Sequence, residues 1–145
     1  MTNQTIFLDS NIWLYRFLAD QDSNPQEDAR KRQIAVSLTN LKNIVVSTQV
    51  INEVCSVLKR KVRLSESQIF QLIEEFDLQC LVIDLTTSIL KKSSQLRTNY
   101  NFSFWDGLIV ASALAADVTI LYSEDMQDGL IVDNQLTIIN PFKIN

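Results

Sequence analysis

Residues 5–19 read Thr5-Ile6-Phe7-Leu8-Asp9-Ser10-Asn11-Ile12-Trp13-Leu14-Tyr15-Arg16-Phe17-Leu18-Ala19, and two periodicities meet inside them. Thr5 to Leu8 is the short apolar run that a buried strand needs, whereas Ile12, Trp13, Arg16 and Phe17 fall at helical spacing. Between them stand Asp9, Ser10 and Asn11, residue types that cap helices or make turns. The unit is strand, tight turn, helix.

The same alternation continues along the chain. A polar loop, Asp20 to Pro25, leads to a helix over Glu27–Leu41, and Ile44–Ser47 reads as a second strand. Thr48–Val62 is a helix with an apolar stripe at Val50, Ile51, Val54, Leu58 and Val62. Another helix covers Ser65–Phe76, with Ser65 or Ser67 as its cap. Cys80–Ile83 is a third strand, followed by helices over Thr86–Tyr100 and Ser103–Ala116, the latter the most apolar and so the most central. Val118–Tyr122 and Leu136–Ile139 complete the strands. Strands separated by helices pair in parallel through right-handed crossovers, with helices on both faces. The expected fold is therefore a single domain over residues 1–145, a three-layer α/β/α sandwich around a mostly parallel sheet of four to five strands. Such sheets bind ligands beyond the carboxyl ends of their strands. Asp9 and the cluster Ser123-Glu124-Asp125 both occupy that position.

Composition narrows the chemistry. The chain has no histidine, which excludes Ser-His-Asp and Cys-His catalysis and histidine-ligated zinc. Its two glycines, Gly107 and Gly129, cannot furnish a P-loop or a dinucleotide-binding turn. Cys55 and Cys80 sit in apolar patterns without metal-ligand spacing and read as reduced core cysteines. No stretch reads as a signal peptide or a membrane span, so a cytoplasmic location is the expectation. What remains for chemistry is carboxylates, hydroxyls, amides and amines. The net charge of −4 argues against a general nucleic-acid binder unless the excess acid is gathered at a cation site.

Four acids are candidates for such a site, and each has an ordinary structural role open to it. Asp9 ends a strand and fits a helix cap or turn equally well. Its setting also resembles the start of a haloacid-dehalogenase phosphatase, but Asn11 stands where that motif needs a second Asp. Asp106, in Ser103-Phe104-Trp105-Asp106, completes a capping-box pattern. It also shares a stripe with Ile109, Val110 and Ala113, where a carboxylate is costly unless paired or bound to a metal. Glu53 flanks the Val50/Val54 stripe and could be a solvated helix residue. Asp125 could cap a turn. Asp84 reads as the start of a helix.

Taken together, these residues resemble the four signature blocks of PIN domains. The blocks are Phe7-Leu8-Asp9-Ser10-Asn11, Gln49-Val50-Ile51-Asn52-Glu53, Phe104-Trp105-Asp106-Gly107-Leu108-Ile109 and Ser123-Glu124-Asp125-Met126. The branch they look most like is the VapC-type toxins of bacterial toxin–antitoxin pairs. That resemblance implies a Mg²⁺- or Mn²⁺-dependent ribonuclease in which Asp9, Glu53, Asp106 and Asp125 are the metal-binding and catalytic acids. Ser10, Asn11 and Ser123 match the supporting polar positions. It also implies an RNA substrate, a small antitoxin that holds the enzyme silent, and a homodimer. Magnesium prefers oxygen ligands and keeps several waters, so a few carboxylates suffice. Candidate RNA contacts are Arg60 and Lys61 at the end of the Glu53 helix and Arg97 on the helix before Asp106; solvated helix surface is the alternative for all three. Two other functions fit the same blocks: a PIN nuclease of RNA processing, and a catalytically silent PIN-like module for protein binding.

Overall fold

The computed structural model describes residues 4–143. Strand β1, Ile6–Leu8, is buried along its whole length, so both faces of the sheet are covered at that point. Asp9 ends it and caps α1, Ser10–Phe17. Helix α2, Pro25–Thr39, starts and stops two residues earlier than the apolar pattern suggested. Asn24 accepts hydrogen bonds from the backbone N–H groups of Gln26 and Glu27, and Pro25 fits the first helical position, where no N–H is needed.

Strand β2, Ile44–Ser47, is also wholly buried and runs directly into α3, Thr48–Val62. The stripe of α3 is buried from Val50 to Leu58, but Val62 is exposed because the helix runs on past the core and ends at Arg63 in the left-handed conformation. A capping box places the start of α4, Glu66–Gln79, and the cap is Ser65. Then come β3, Leu81–Ile83, α5, Thr87–Asn99, and α6, Phe104–Ala115. Every residue of α6 from Gly107 to Leu114 is buried, as its apolar sequence demands.

Strands β4, Ile120–Tyr122, β5, Ile131–Val132, and β6, Leu136–Ile139, complete a sheet of order β3-β2-β1-β4-β6-β5. All neighbours are parallel except β5 and β6. The sheet thus has six strands rather than the four to five expected. The extra strand, β5, is only two residues long and is held by a tight turn in which Asp133 and Asn134 both have positive φ and Gln135 N–H bonds to the Val132 carbonyl. This is the turn whose twist suits a hairpin, built on Asp-Asn instead of the usual Asn-Gly.

The core lies on both faces of β1, β2 and β4. Phe7, Leu8, Val45, Val46 and Leu121 are fully buried, each contributing about 1.5–3 kcal/mol by leaving water. From β1 the chain builds outward to β2 and β3 on one side. It returns to lay β4 and β6 on the other. The reversal creates a crevice between β1 and β4 at their carboxyl ends.

Candidate active site

Asp9 stands at the mouth of that crevice and is 4% exposed. Its Oδ1 accepts the Ser10 N–H at 2.7 Å, and its Oδ2 accepts the Ser123 hydroxyl at 2.8 Å. Ser123 follows β4, the strand paired with β1, so parallel pairing at the switch point delivers both partners to one place. Burial raises the Asp9 carboxyl to about 7; the charges of Glu53 and Asp106 add to the rise, while the bonds from Ser123 and Ser10 oppose it.

Glu53 reaches the site from the second turn of α3. One carboxylate oxygen accepts the Ser10 hydroxyl at 2.8 Å and the other accepts Gln49 Nε2 at 3.0 Å. The Ser10 hydroxyl also lies 3.5 Å from Asp9 Oδ1, so it bridges two acids. Asn11 bridges another pair: its Nδ2 donates to Asp125 Oδ2 at 3.1 Å and lies 3.5 Å from Asp9 Oδ2. Its Oδ1 accepts the Glu124 N–H at 3.3 Å, which ties down the strap after β4. Asp106 enters from the first turn of α6, where Ser103 Oγ accepts the Asp106 N–H at 3.1 Å. Partial burial raises its carboxyl, helped by the nearby charges of Asp125 and Glu53. Of the seven residues expected to form the site, Asp9, Ser10, Asn11, Glu53, Ser123 and Asp125 form one hydrogen-bonded group, and Asp106 stands beside it, linked through charge alone.

Among the described residues, no three acids are gathered so that they could hold an ion directly as placed. The hydroxyl of Ser10 and the amide of Asn11 lie between them, and like charges repel. The donor set still suits a hard divalent cation. All the donors are oxygens, and Asp9 and Asp106 are raised first by burial and further by the charges of neighbouring acids, a penalty that a cation would relieve.

Three further features were not evident from the sequence. Gln49 orients Glu53 from one turn away, an i, i+4 pair that the spacing could have flagged. Its Oε1 is buried without a hydrogen-bond partner among the described residues. Glu124 points away from the acids, toward Lys31 Nζ at 2.7 Å and the Tyr15 hydroxyl at 2.9 Å. Lys31 also meets Asp22 at 2.8 Å. Against the cost of its burial, these two carboxylates hold the Lys31 ammonium firmly protonated. Burial, reinforced by Glu124, pushes the Tyr15 hydroxyl up to about 12. Asp84 takes no part in the acidic group's bonding.

The candidate RNA contacts separate. Arg60 and Lys61 are exposed on α3, but Arg60 is seven residues beyond Glu53, roughly 10 Å along the helix axis and away from the acids. Arg97 is close. It donates to Ser93 Oγ and to the Phe104 carbonyl, and lies against α6 where a side chain at Gly107 would meet Arg97 Cγ at 3.0 Å. Gly107 lets α5 and α6 approach at that point.

The doubly flanked parallel sheet with acids at its switch point defines a class that comparison with known families makes specific. The PIN-domain profile matches residues 6–127, and the chain belongs to the PIN-domain family. Solved structures share its fold. A toxin–antitoxin complex from Klebsiella pneumoniae aligns over 97% of this chain and 100% of its own, with 18% identity and a TM-score of 0.65. VapBC2 from Rickettsia felis, bound to a DNA fragment of its promoter, aligns over 93% and 97%, with 19% identity and a TM-score of 0.61. VapC20 from Mycobacterium tuberculosis, described as a sarcin-ricin-loop-cleaving toxin, aligns over 81% and 87%, with 15% identity and a TM-score of 0.59. No curated protein matches by sequence.

Proposed function

We propose that this protein is a divalent-metal-dependent endoribonuclease of the VapC type, the toxin of a toxin–antitoxin pair. The observation that carries this reading is the joining of Asp9, Glu53 and Asp125 through Ser10, Asn11 and Ser123 at the switch point of the sheet, with Asp106 near enough to feel the charges of Glu53 and Asp125. Asp9, Asp106 and Asp125 would hold Mg²⁺ or Mn²⁺. When bound, such an ion neutralises phosphoryl charge and makes a coordinated water more acidic. Glu53, whose two oxygens are oriented by Ser10 and Gln49, would take the proton from the attacking water. Attack at phosphorus in line with the leaving 3′-oxygen gives a 5′-phosphate and a 3′-hydroxyl. Asn11 and Ser123 keep Asp9 and Asp125 in position.

A groove of about 1140 Å³ adjoins Glu53 and supports the expectation of an antitoxin. One face of α4 lines it, with Ile69, Phe70 and Ile73 interleaved with Glu66, Glu74 and Asp77. Its chemistry suits a segment with alternating apolar and basic side chains. No helix among the described residues is long and apolar enough to cross a membrane. Residence in the cytoplasm and assembly as a homodimer belong to the same proposal; the dimer is checked by light scattering in solution.

The deciding assay incubates cellular RNA with the purified chain in Mg²⁺ or Mn²⁺ and maps new 5′-phosphate ends. Asp9→Asn and Asp106→Asn should each lower cleavage at least a hundredfold, and EDTA should stop it. Cleavage that survives both substitutions and EDTA would refute the metal-site reading, and a parent that cuts no RNA would leave protein binding as the function of the fold.

A further inference from the structure

Phe104 and Trp105 occupy the first turn of α6, immediately before Asp106, and are 58% and 61% exposed. The rest of that helix turns inward, yet these two large rings face water side by side, edge to face at 5.4 Å. At one end of the pair is the acidic group. Trp105 lines the groove together with Gln49 and Glu53, and Gln49 Nε2 lies 3.4 Å from the Trp105 carbonyl. At the other end is a cation. The Arg97 guanidinium lies 4.2 Å from the centre of the Phe104 ring, and its Nη1 donates to the Phe104 carbonyl at 3.2 Å. Its Nη2 and Nε have no acceptor among the described residues.

Unpaired bases are recognised on aromatic rings and on guanidinium planes, because every base offers a π face. An exposed aromatic pair, joined to a phosphodiester-cleaving site on one side and to a fixed cation on the other, matches that chemistry. The groove beyond Trp105 carries Glu66, Glu74, Asp77 and Asp84 and no basic residue among its lining, so the Arg97 side is the approach that charge favours for a phosphate chain. We propose that Phe104 and Trp105 stack an unpaired RNA base next to the scissile phosphate while Arg97 meets a neighbouring phosphate. The proposal rests on the ribonuclease reading and adds to it the residues that would hold a base beside the cut.

Trp105 is also a built-in probe, since the other tryptophan, Trp13, is buried against Phe76. The full-length Asp9→Asn protein would be titrated with a single-stranded oligoribonucleotide of about 12 nucleotides, then with copies carrying one abasic residue at each position in turn. Quenching of Trp105 emission is expected. It should be lost in Trp105→Phe, and one abasic position should weaken binding about tenfold. In the active protein, Trp105→Ala and Phe104→Ala should raise KM about tenfold with a smaller effect on kcat, and Trp105→Phe should recover most of the loss. Leu78→Ala, an exposed residue of α4, should match the parent. If the parent cuts RNA but the alanine variants bind and cut equally well, or lose only self-association or antitoxin binding, the platform is refuted. If the parent cuts no RNA, the nuclease reading falls, while quenching in Asp9→Asn still decides whether a base stacks there.

Discussion

Two aspartates illustrate how differently one residue type is used here. Asp28 is buried on α2 and collects the N–H groups of Asp20, Gln21 and Asp22 together with Arg32 Nη2 at 2.9 Å. The Asp22 N–H foremost, then Arg32, holds its carboxyl below the ordinary value of 3.8. A depressed carboxyl stabilises the fold above its unfolded-state value, and the contribution disappears as pH falls through the folded-state value. Asp28→Asn should therefore cost about 2 kcal/mol at pH 7 and progressively less below pH 4, measured by urea unfolding. Asp9 is the opposite case, raised by burial and by its acidic neighbours. A buried acid with a raised value is a burden on the fold, and its retention here agrees with a role in chemistry. The sequence placed Asp9 correctly at a strand end but left a cap as an equal possibility. It proves to be the α1 cap as well as the centre of the acidic group, because its two oxygens face different partners.

At the level of elements, caps and pairing do the positioning. The cap Ser103 starts α6 and so sets where Asp106 and the Phe104–Trp105 pair lie. Ser103→Ala should lower stability by about 1 kcal/mol in urea unfolding and lower kcat/KM, while Ser103→Thr retains both. Most elements were legible in the sequence because their apolar periods and caps agree: β1 with Asp9, α3 with its stripe, α6 with Ser103. Strand β5 was not, since two residues show no period and its Asp133-Asn134 turn resembles an ordinary loop. The tie between Lys31 and Glu124 was equally hidden. Nothing along the chain reveals a contact between residues 93 positions apart. Gln49 is the instructive miss, a polar residue one helical turn from an expected site residue, on the same face.

Across the whole molecule, the site draws on four separate stretches of chain held by one sheet. Their shared cost is the burial of Asp9 and Asp106, to which repulsion from neighbouring acids adds, and a cation would offset it. The melting temperature of the parent should therefore rise with Mg²⁺ or Mn²⁺, since saturation to a hundred times the dissociation constant contributes about 2.7 kcal/mol. In EDTA, Asp9→Asn should melt higher than the parent, and metal should then change it little. A parent whose melting ignores both metals would contradict the cation reading.

The bond between Ser123 and Asp9 spans 114 positions, and β1 acquires its neighbour β4 only when residues 120–122 are in place. During synthesis, β1 and β2 can pair early, but the last supports of the site arrive only with residues 120–125. A growing chain that has not yet emerged beyond Asp125 has no complete acidic group. During translation the acids of the site therefore stay apart until β4 and the residues after it have left the ribosome, and the group closes only as the sheet does.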